Sequence, residues 1–396
     1  LYPAPVLNAS YVDWMVRGQG EQTFRELLDV FDGKRDPRTV QALAFPGMDS
    51  AVRDPVLDGV RRWVGPDELP PVPYERIPVD DYLHPTFLGD RCGVYQASIG
   101  CPYGCKFCGV ISVFGSREKV QRAERTAKDL ETLVRRHGMD GVHFYDNNFF
   151  VKEDHALDLG ERITPLGLSW WCEARIDALL RFSDRTWRLL ARSGLKMVFL
   201  GAEAGSDAVL RKMNKKLTVA QTLEVAAKTR EHGIIPEFSF VLGDPDEPEL
   251  ELDHTLSLIR RLRRINPAME LITYYYTPTP QRRGTYGDID PLAGTPDTLE
   301  EWIEPEWVGW MTHENPQVPW MTPRLRAKLE DFALVMASRY PSVHDYRTAR
   351  WGKAVGRALA RNRWRKGHYT NPRLLRTVRR WARGQVDPQA YGHLRP

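Results

Sequence analysis

Between residues 94 and 276 the chain alternates short apolar runs with longer amphipathic stretches, and this alternation constrains the fold more than any other feature. The runs fall at 94–99, 142–145, 168–172, 197–202, 237–242 and 270–275. Each is short and nearly continuous, as a strand covered on both faces must be. Between the first two, Ala127, Leu130, Leu133 and Val134 recur at helical spacing, which predicts a helix over 126–137. Gly138, Gly194 and Gly233 stand where three such helices would end, because glycine accepts the left-handed backbone that closes a helix. Strands alternating with helices predict an α/β fold with a parallel sheet. Right-handed connections curl such a sheet into a full or partial barrel.

The rest of the chain divides around this core. With 396 residues there is material for two or three units. Residues 1–65 hold a strand pattern at 11–16, the run Gly18-Gln-Gly-Glu21, and Phe24, Leu27, Leu28 and Phe31 at helical spacing. Residues 66–88 are rich in proline (Pro66, Pro70, Pro71, Pro73, Pro78, Pro85) and read as an extended linker. Residues 89–285 contain the core. Over 286–396 the strand signal disappears, Trp302, Trp307, Trp310 and Trp320 mark an aromatic region, and a helix is expected over 323–339. No apolar run approaches the roughly 18 residues that cross a bilayer, and no stretch has the pattern of a signal peptide. The chain starts at Leu1 rather than Met, as a fragment or a processed protein would.

Five cysteines in so long a chain make no disulfide framework. Three of them stand together in Gly100-Cys101-Pro-Tyr-Gly-Cys105-Lys-Phe-Cys108, at the expected end of the first core strand. Disulfides among them would close loops too tight to stabilise much, so shared ligation of a metal centre in a reducing, cytoplasmic setting is the expectation. Three thiolates at this spacing can take three irons of a cubane cluster. Structural zinc and electron-transfer ferredoxin sites would each want a fourth ligand. Cys92 and Cys172, in or beside other strands, do not supply one. An iron without a protein ligand is one that a small molecule can chelate.

This C-x3-C-x2-C pattern, with the aromatic Phe107 before its last cysteine, resembles the signature of radical S-adenosylmethionine (SAM) enzymes. The resemblance implies a partial (β/α)6 TIM-type barrel. It also implies a [4Fe–4S] cluster on Cys101, Cys105 and Cys108, with SAM chelated at the fourth iron. Reduction of the cluster by an electron donor such as flavodoxin or ferredoxin then cleaves SAM to a 5′-deoxyadenosyl radical, which acts on a small-molecule substrate. The protein positions these partners and shields the radical.

Chemistry in parallel βα folds gathers at the carboxyl ends of strands. There the sequence places Asp146-Asn147-Asn148, then Glu173-Ala-Arg175, Glu203 between Gly201 and Gly205, and Gly243-Asp-Pro245. By the same resemblance, Glu203 contacts the ribose or amino group of SAM, and Gly243 lets backbone approach the adenine. Arg175 pairs with the SAM carboxylate, and Asp146 and Phe107 belong to the cofactor site. Each has a plainer reading. Glu203 can cap the following helix, Arg175 can sit in a structural ion pair, Gly243 can mark an ordinary turn, and Asp146 can be a helix N-cap. Cys172 is expected to be a buried strand residue.

The segment 12–21 with Phe24 and Leu27-Leu28 resembles the end of the cobalamin-binding domain fused to many radical SAM proteins, with Gln19 where a Glu is usual. That domain's Asp-x-His-x-x-Gly motif does not occur in this sequence, so most of the domain, and any bound cobalamin, would lie upstream of Leu1. Methyl transfer to a small or lipid-like metabolite follows from this resemblance. The competing readings are a non-methylating rearrangement or cyclisation, RNA modification, and a non-enzymatic metal or nucleic-acid binding module.

The net charge of +4 conceals an asymmetry. Residues 346–396 hold 14 Lys and Arg against one acid, Asp387, which leaves the first 345 residues at −9. Arg347, Arg350, Lys353, Arg357 and Arg361 form a helical stripe, with Trp351, Trp364, Tyr369 and Trp381 interleaved among the basic residues. Such a helical, basic extension can meet an anionic membrane peripherally or bind nucleic acid. It can also be a solvated helix whose Trp side chains pack on the acidic body.

Overall fold

Short apolar runs separated by amphipathic stretches predict strands alternating with helices, and six parallel strands form the central sheet. The computed structural model describes residues 3–46, 63–279, 286–287, 289–290, 294–313, 318–343, 345 and 348–382. In chain order the strands are β1 (Met15–Val16), β2 (Leu43–Ala44), β3 (Cys92–Tyr95), β4 (Ser98–Cys101), β5 (Arg117–Val120), β6 (Gly141–Phe144), β7 (Ser169–Ala174), β8 (Leu195–Glu203), β9 (Ile235–Leu242) and β10 (Glu270–Tyr275). The central sheet runs β10-β9-β8-β7-β6-β3, parallel throughout, with helices in the connections. Val142, Phe144, Trp170, Cys172, Val198, Leu200, Phe238 and Phe240 are at most 1% exposed and share one face of the sheet, which is therefore filled. This consecutive order, with β3 and β10 at its two ends, is that of a partial TIM-type barrel.

The helix expected over 126–137 spans Ala123–His137 and closes on Gly138 in the left-handed conformation. Gly194 and Gly233 also take positive φ, at 99° and 68°. The proline-rich stretch is a series of short 3-10 turns at Pro66–Glu68, Tyr74–Arg76 and Val79–Tyr82. Arg125 fastens it, donating to the carbonyls of Pro66 and Leu69. At the start of the chain, β1 and β2 pair antiparallel across the helix Glu21–Phe31. Residues 47–62 of the expected N-terminal unit lie outside the described residues.

One expectation is corrected. The run 94–99 was expected as a single strand, and it breaks in two. β3 joins the parallel sheet, whereas β4 leaves it to pair antiparallel with β5. The break is fixed at Ala97, whose N–H donates to Asp146 Oδ2 at 3.3 Å and whose carbonyl accepts from the N–H of Gln121 at 2.7 Å. The cysteine loop therefore follows a hairpin strand rather than the first core strand.

The described chain forms two compact units, Leu1–Val318 and Pro319–Pro396. The second contains the helices Pro323–Arg339, Arg350–Lys366 and Arg373–Ala382. Asp331 joins them, accepting from the N–H of Asn371 and from Arg376, both at 2.6 Å. Phe332, Trp364 and Tyr369 form an aromatic centre. Of the basic stripe, Arg350, Lys353, Arg357 and Arg361 lie on the second helix, while Arg347 and Asp387 lie outside the described residues. No helix among the described residues is long and apolar enough to cross a membrane.

Candidate active site

The cysteine loop is held by the ends of neighbouring strands. Gly100 has φ +82°, and a Cβ there would stand 2.4 Å from the carbonyl oxygen of Arg117, so only glycine lets β4 turn against β5. Its N–H donates to Asn147 Oδ1 at 3.2 Å, and the N–H of Arg175 donates to Asn148 Oδ1 at 3.1 Å. Asp146, Asn147 and Asn148 thus fix backbone just after β3, within β4 and just after β7. From the far side, Asn214 Nδ2 donates to the carbonyl of Gly104 at 2.6 Å, and the N–H of Lys106 donates to the carbonyl of Met213 at 3.0 Å.

Arg175 ties these pieces together. Its Nε donates to Asp177 at 2.9 Å, its Nη2 to the carbonyl of Lys215 at 2.5 Å and its Nη1 to Cys105 Sγ at 3.3 Å. Its guanidinium lies 3.8 Å from the centre of the Tyr103 ring. The ion pair with Asp177 is thus present, and the same side chain reaches a cysteine of the loop.

Above the strand ends lies a cavity of about 800 Å3. Cys101, Cys105, Phe107 and Cys108 line one part of it, with Arg175, Glu203 and Lys215 beside them. Lys215 Nζ stands 2.5 Å from Glu203 Oε1, and both side chains are 7% exposed. Glu203 adopts φ +63°, in the left-handed region, where a register shift interrupts the pairing of β8 with β9. Phe199, Tyr274, Trp302, Trp310 and Met311 supply an aromatic and apolar wall. Glu173 lines the cavity too, and burial pushes its carboxyl up to about 7, with the charges of Asp146 and Glu237 adding to the effect. Burial pushes the Cys108 thiol up to about 11, and the positive charge of a bound metal reverses that tendency.

Of the residues singled out in the sequence, Cys101, Cys105, Cys108, Phe107, Arg175 and Glu203 meet at this cavity. Asp146 and Gly243 do not line it. Asp146 is fully buried on the amide of Ala97, and Gly243, at φ +91°, makes the turn that follows β9. Cys172 is fully buried, and burial raises its thiol far above the ordinary range. Lys215 and Asn214 carried no signal in the sequence. They follow a short helix in a polar run that reads as surface, and only the close approach of their loop to the cysteines gives them a role.

The donor set fits an iron–sulfur cubane. Among the described residues no three Cys, His, Asp or Glu converge as ligands of a single ion would. A cubane does not require that, because each thiolate takes a different iron, and three thiols around one cavity leave a fourth corner open.

Parallel strands in sequential order, capped by a three-cysteine loop that opens onto a cavity, define a radical SAM core. Residues 95–259 match the model of the radical SAM superfamily. An uncharacterised methyltransferase of Pyrococcus horikoshii is 28% identical over 63% of this chain and 53% of its own. The hopanoid C-3 methylase of Methylococcus capsulatus is 30% identical over 43% of this chain and 34% of its own. The chain thus matches about half, or less, of the length of these curated relatives. Among solved structures, the radical SAM methyltransferase TsrM from Kitasatospora setae, with tryptophan substrate and a SAM analogue bound, shares the fold. Its TM-score is 0.58 at 17% identity, covering 96% of this chain and 80% of that one. Another structure of TsrM holds cobalamin and a [4Fe–4S] cluster, with a TM-score of 0.51 at 16% identity, over 92% and 80% of the two chains.

Proposed function

We propose that the chain is the core of a radical SAM methyltransferase acting on a small or lipid-like metabolite of largely apolar surface. The observation that carries this reading is the shared cavity, with three cysteines and a buried ion pair on one part of its lining and an aromatic wall on another. Cys101, Cys105 and Cys108 would hold a [4Fe–4S] cluster. When bound, that cluster supplies the electron that cleaves SAM. In this reading Glu203 accepts from the amino or ribose hydroxyl groups of SAM, and Lys215 faces its carboxylate. Phe107 flanks the cofactor, and Arg175 orients the loop. Asp146 and Gly243 serve through the backbone they place. Phe199, Tyr274, Trp302 and Trp310 exclude water and receive the apolar substrate.

Methyl transfer is supported by the relatives that are named for it, and the hopanoid methylase supports a lipid-like substrate. Cobalamin as methyl carrier, and flavodoxin or ferredoxin as reductant, complete the proposal. Anaerobic reconstitution tests it. About four iron and four sulfide per chain are expected, and SAM should be cleaved when dithionite is added. Cobalamin in the assay should then raise methyl transfer. Cys105→Ala should abolish both cluster and cleavage. Cleavage retained in that variant would overturn the assignment, and cleavage by the parent protein without any methylated product would leave the radical SAM reading and remove the methyltransferase.

A further inference from the structure

The C-terminal helices show apolar residues on two sides, and only one side is used by their own packing. On Arg373–Ala382, Leu375 and Ala382 are each 2% exposed, whereas Leu374 and Trp381 are 60% and 76% exposed. Leu374 and Trp381 are two turns apart and share a face. On Arg350–Lys366, Gly352, Gly356 and Ala360 are buried, whereas Trp351 and Val355 are 52% and 40% exposed. The N–H of Ala349 donates to the carbonyl of Ala382 at 3.0 Å, and Gly352 packs against the Ala382 side chain. The start of one helix thus meets the end of the other, which brings Trp351 and Trp381 to the same end of the helix pair. Arg350 and Arg380, both exposed, stand beside them.

We propose that this end of the helical unit docks on an anionic phospholipid membrane. Trp belongs at the headgroup level of a bilayer, with its ring among the acyl chains and its N–H in the wet layer. Arg completes the site by meeting lipid phosphates, and this segment holds 14 Lys and Arg against one acid. Charge alone would suit RNA as well. Val355, one turn from Trp351, favours the membrane, since an exposed aliphatic side chain gains from a hydrocarbon boundary and finds nothing to stack on in RNA. This surface is independent of the cluster chemistry, and it would bring a core that acts on lipid-like molecules to where they reside.

Co-sedimentation of the full chain with vesicles tests the proposal. Vesicles of phosphatidylcholine and phosphatidylglycerol in equal parts should bind the chain, phosphatidylcholine vesicles should not, and high salt should weaken the binding. Trp351→Ala combined with Trp381→Ala, at exposed positions, should keep the helical circular dichroism and lose about tenfold in partitioning. Arg350→Glu combined with Arg380→Glu should remove the preference for the anionic lipid. Equal binding to both vesicle types, or unchanged binding by the Trp double variant, would overturn the assignment. So would a structured RNA that displaces the chain from vesicles and loses its own binding in the Trp double variant, which would make the surface a nucleic-acid site.

Discussion

Arg175 donates through Nη1 to the Sγ of Cys105, 3.3 Å away, and so a residue at the end of β7 holds the middle cysteine of a loop that belongs to a different part of the chain. The same guanidinium holds the carbonyl of Lys215. Arg175→Ala should leave the fold intact and release cluster iron to a chelator about tenfold faster, as loss of an outer hydrogen-bond partner does at metal sites. Arg175→Lys should not restore retention, because an ammonium cannot reach Asp177, Cys105 and the Lys215 carbonyl together.

The Glu203–Lys215 pair makes a stability prediction. Both side chains are 7% exposed, so removing one leaves a buried charge alone. Lys215→Met should cost about 3–5 kcal/mol in urea unfolding of the apoprotein. Adding Glu203→Gln should recover most of that loss while SAM binding, measured by calorimetry, stays weak. If Lys215→Met alone unfolded like the parent, the pair would not be buried in solution.

Glu173 predicts a pH dependence. Its carboxyl is raised from 4.5 to about 7 by burial, then by Asp146 and Glu237. Between those values the folded chain keeps a proton that the unfolded chain has released. Stability from this group is therefore greatest below the lower value, falls as pH rises through the window, and is level above it. Glu173→Gln removes the charge, so it should stabilise by up to about 3 kcal/mol above pH 8 and by almost nothing near pH 4. Urea midpoints of parent and variant across that range check both sign and window. Asp146 and Glu118, raised to about 6 and about 7, titrate nearby, and the difference between the two proteins leaves Glu173 together with its coupling to Asp146.

Gly100→Ala should disable the loop without touching a cysteine. The new Cβ would stand 2.4 Å from a backbone oxygen, and the φ of +82° costs an alanine about 1–3 kcal/mol more. Iron content after reconstitution should fall while the helical signal persists.

The sheet was legible because its strands leave short apolar runs between amphipathic stretches, and the helix ends because glycine closes them. The break inside 94–99 was not. Val94, Tyr95, Ala97 and Ile99 continue one apolar run, and what divides it is Asp146, distant in sequence and aimed at the Ala97 amide. The cysteines and Glu203 could be found because their chemistry is rare or their position between glycines is unusual. Lys215 and Asn214 could not, since each acts through backbone or a partner that only the folded chain supplies, and the same holds for the bond Asn147 makes to Gly100. The basic stripe was legible as charge, but the division of Trp residues between inside and outside depends on how the three helices meet: Trp364 is buried, Trp351 and Trp381 exposed.

The left-handed backbone at Glu203 sets folding and use against each other. An L-residue is strained at φ +63°, and glycine would adopt that conformation freely. Selection for thermal tolerance alone would thus drift toward Glu203→Gly, together with replacement of Lys215, and would return a sturdier protein whose cavity has lost that ion pair. Engineering this scaffold for robustness therefore has to hold that one carboxylate fixed.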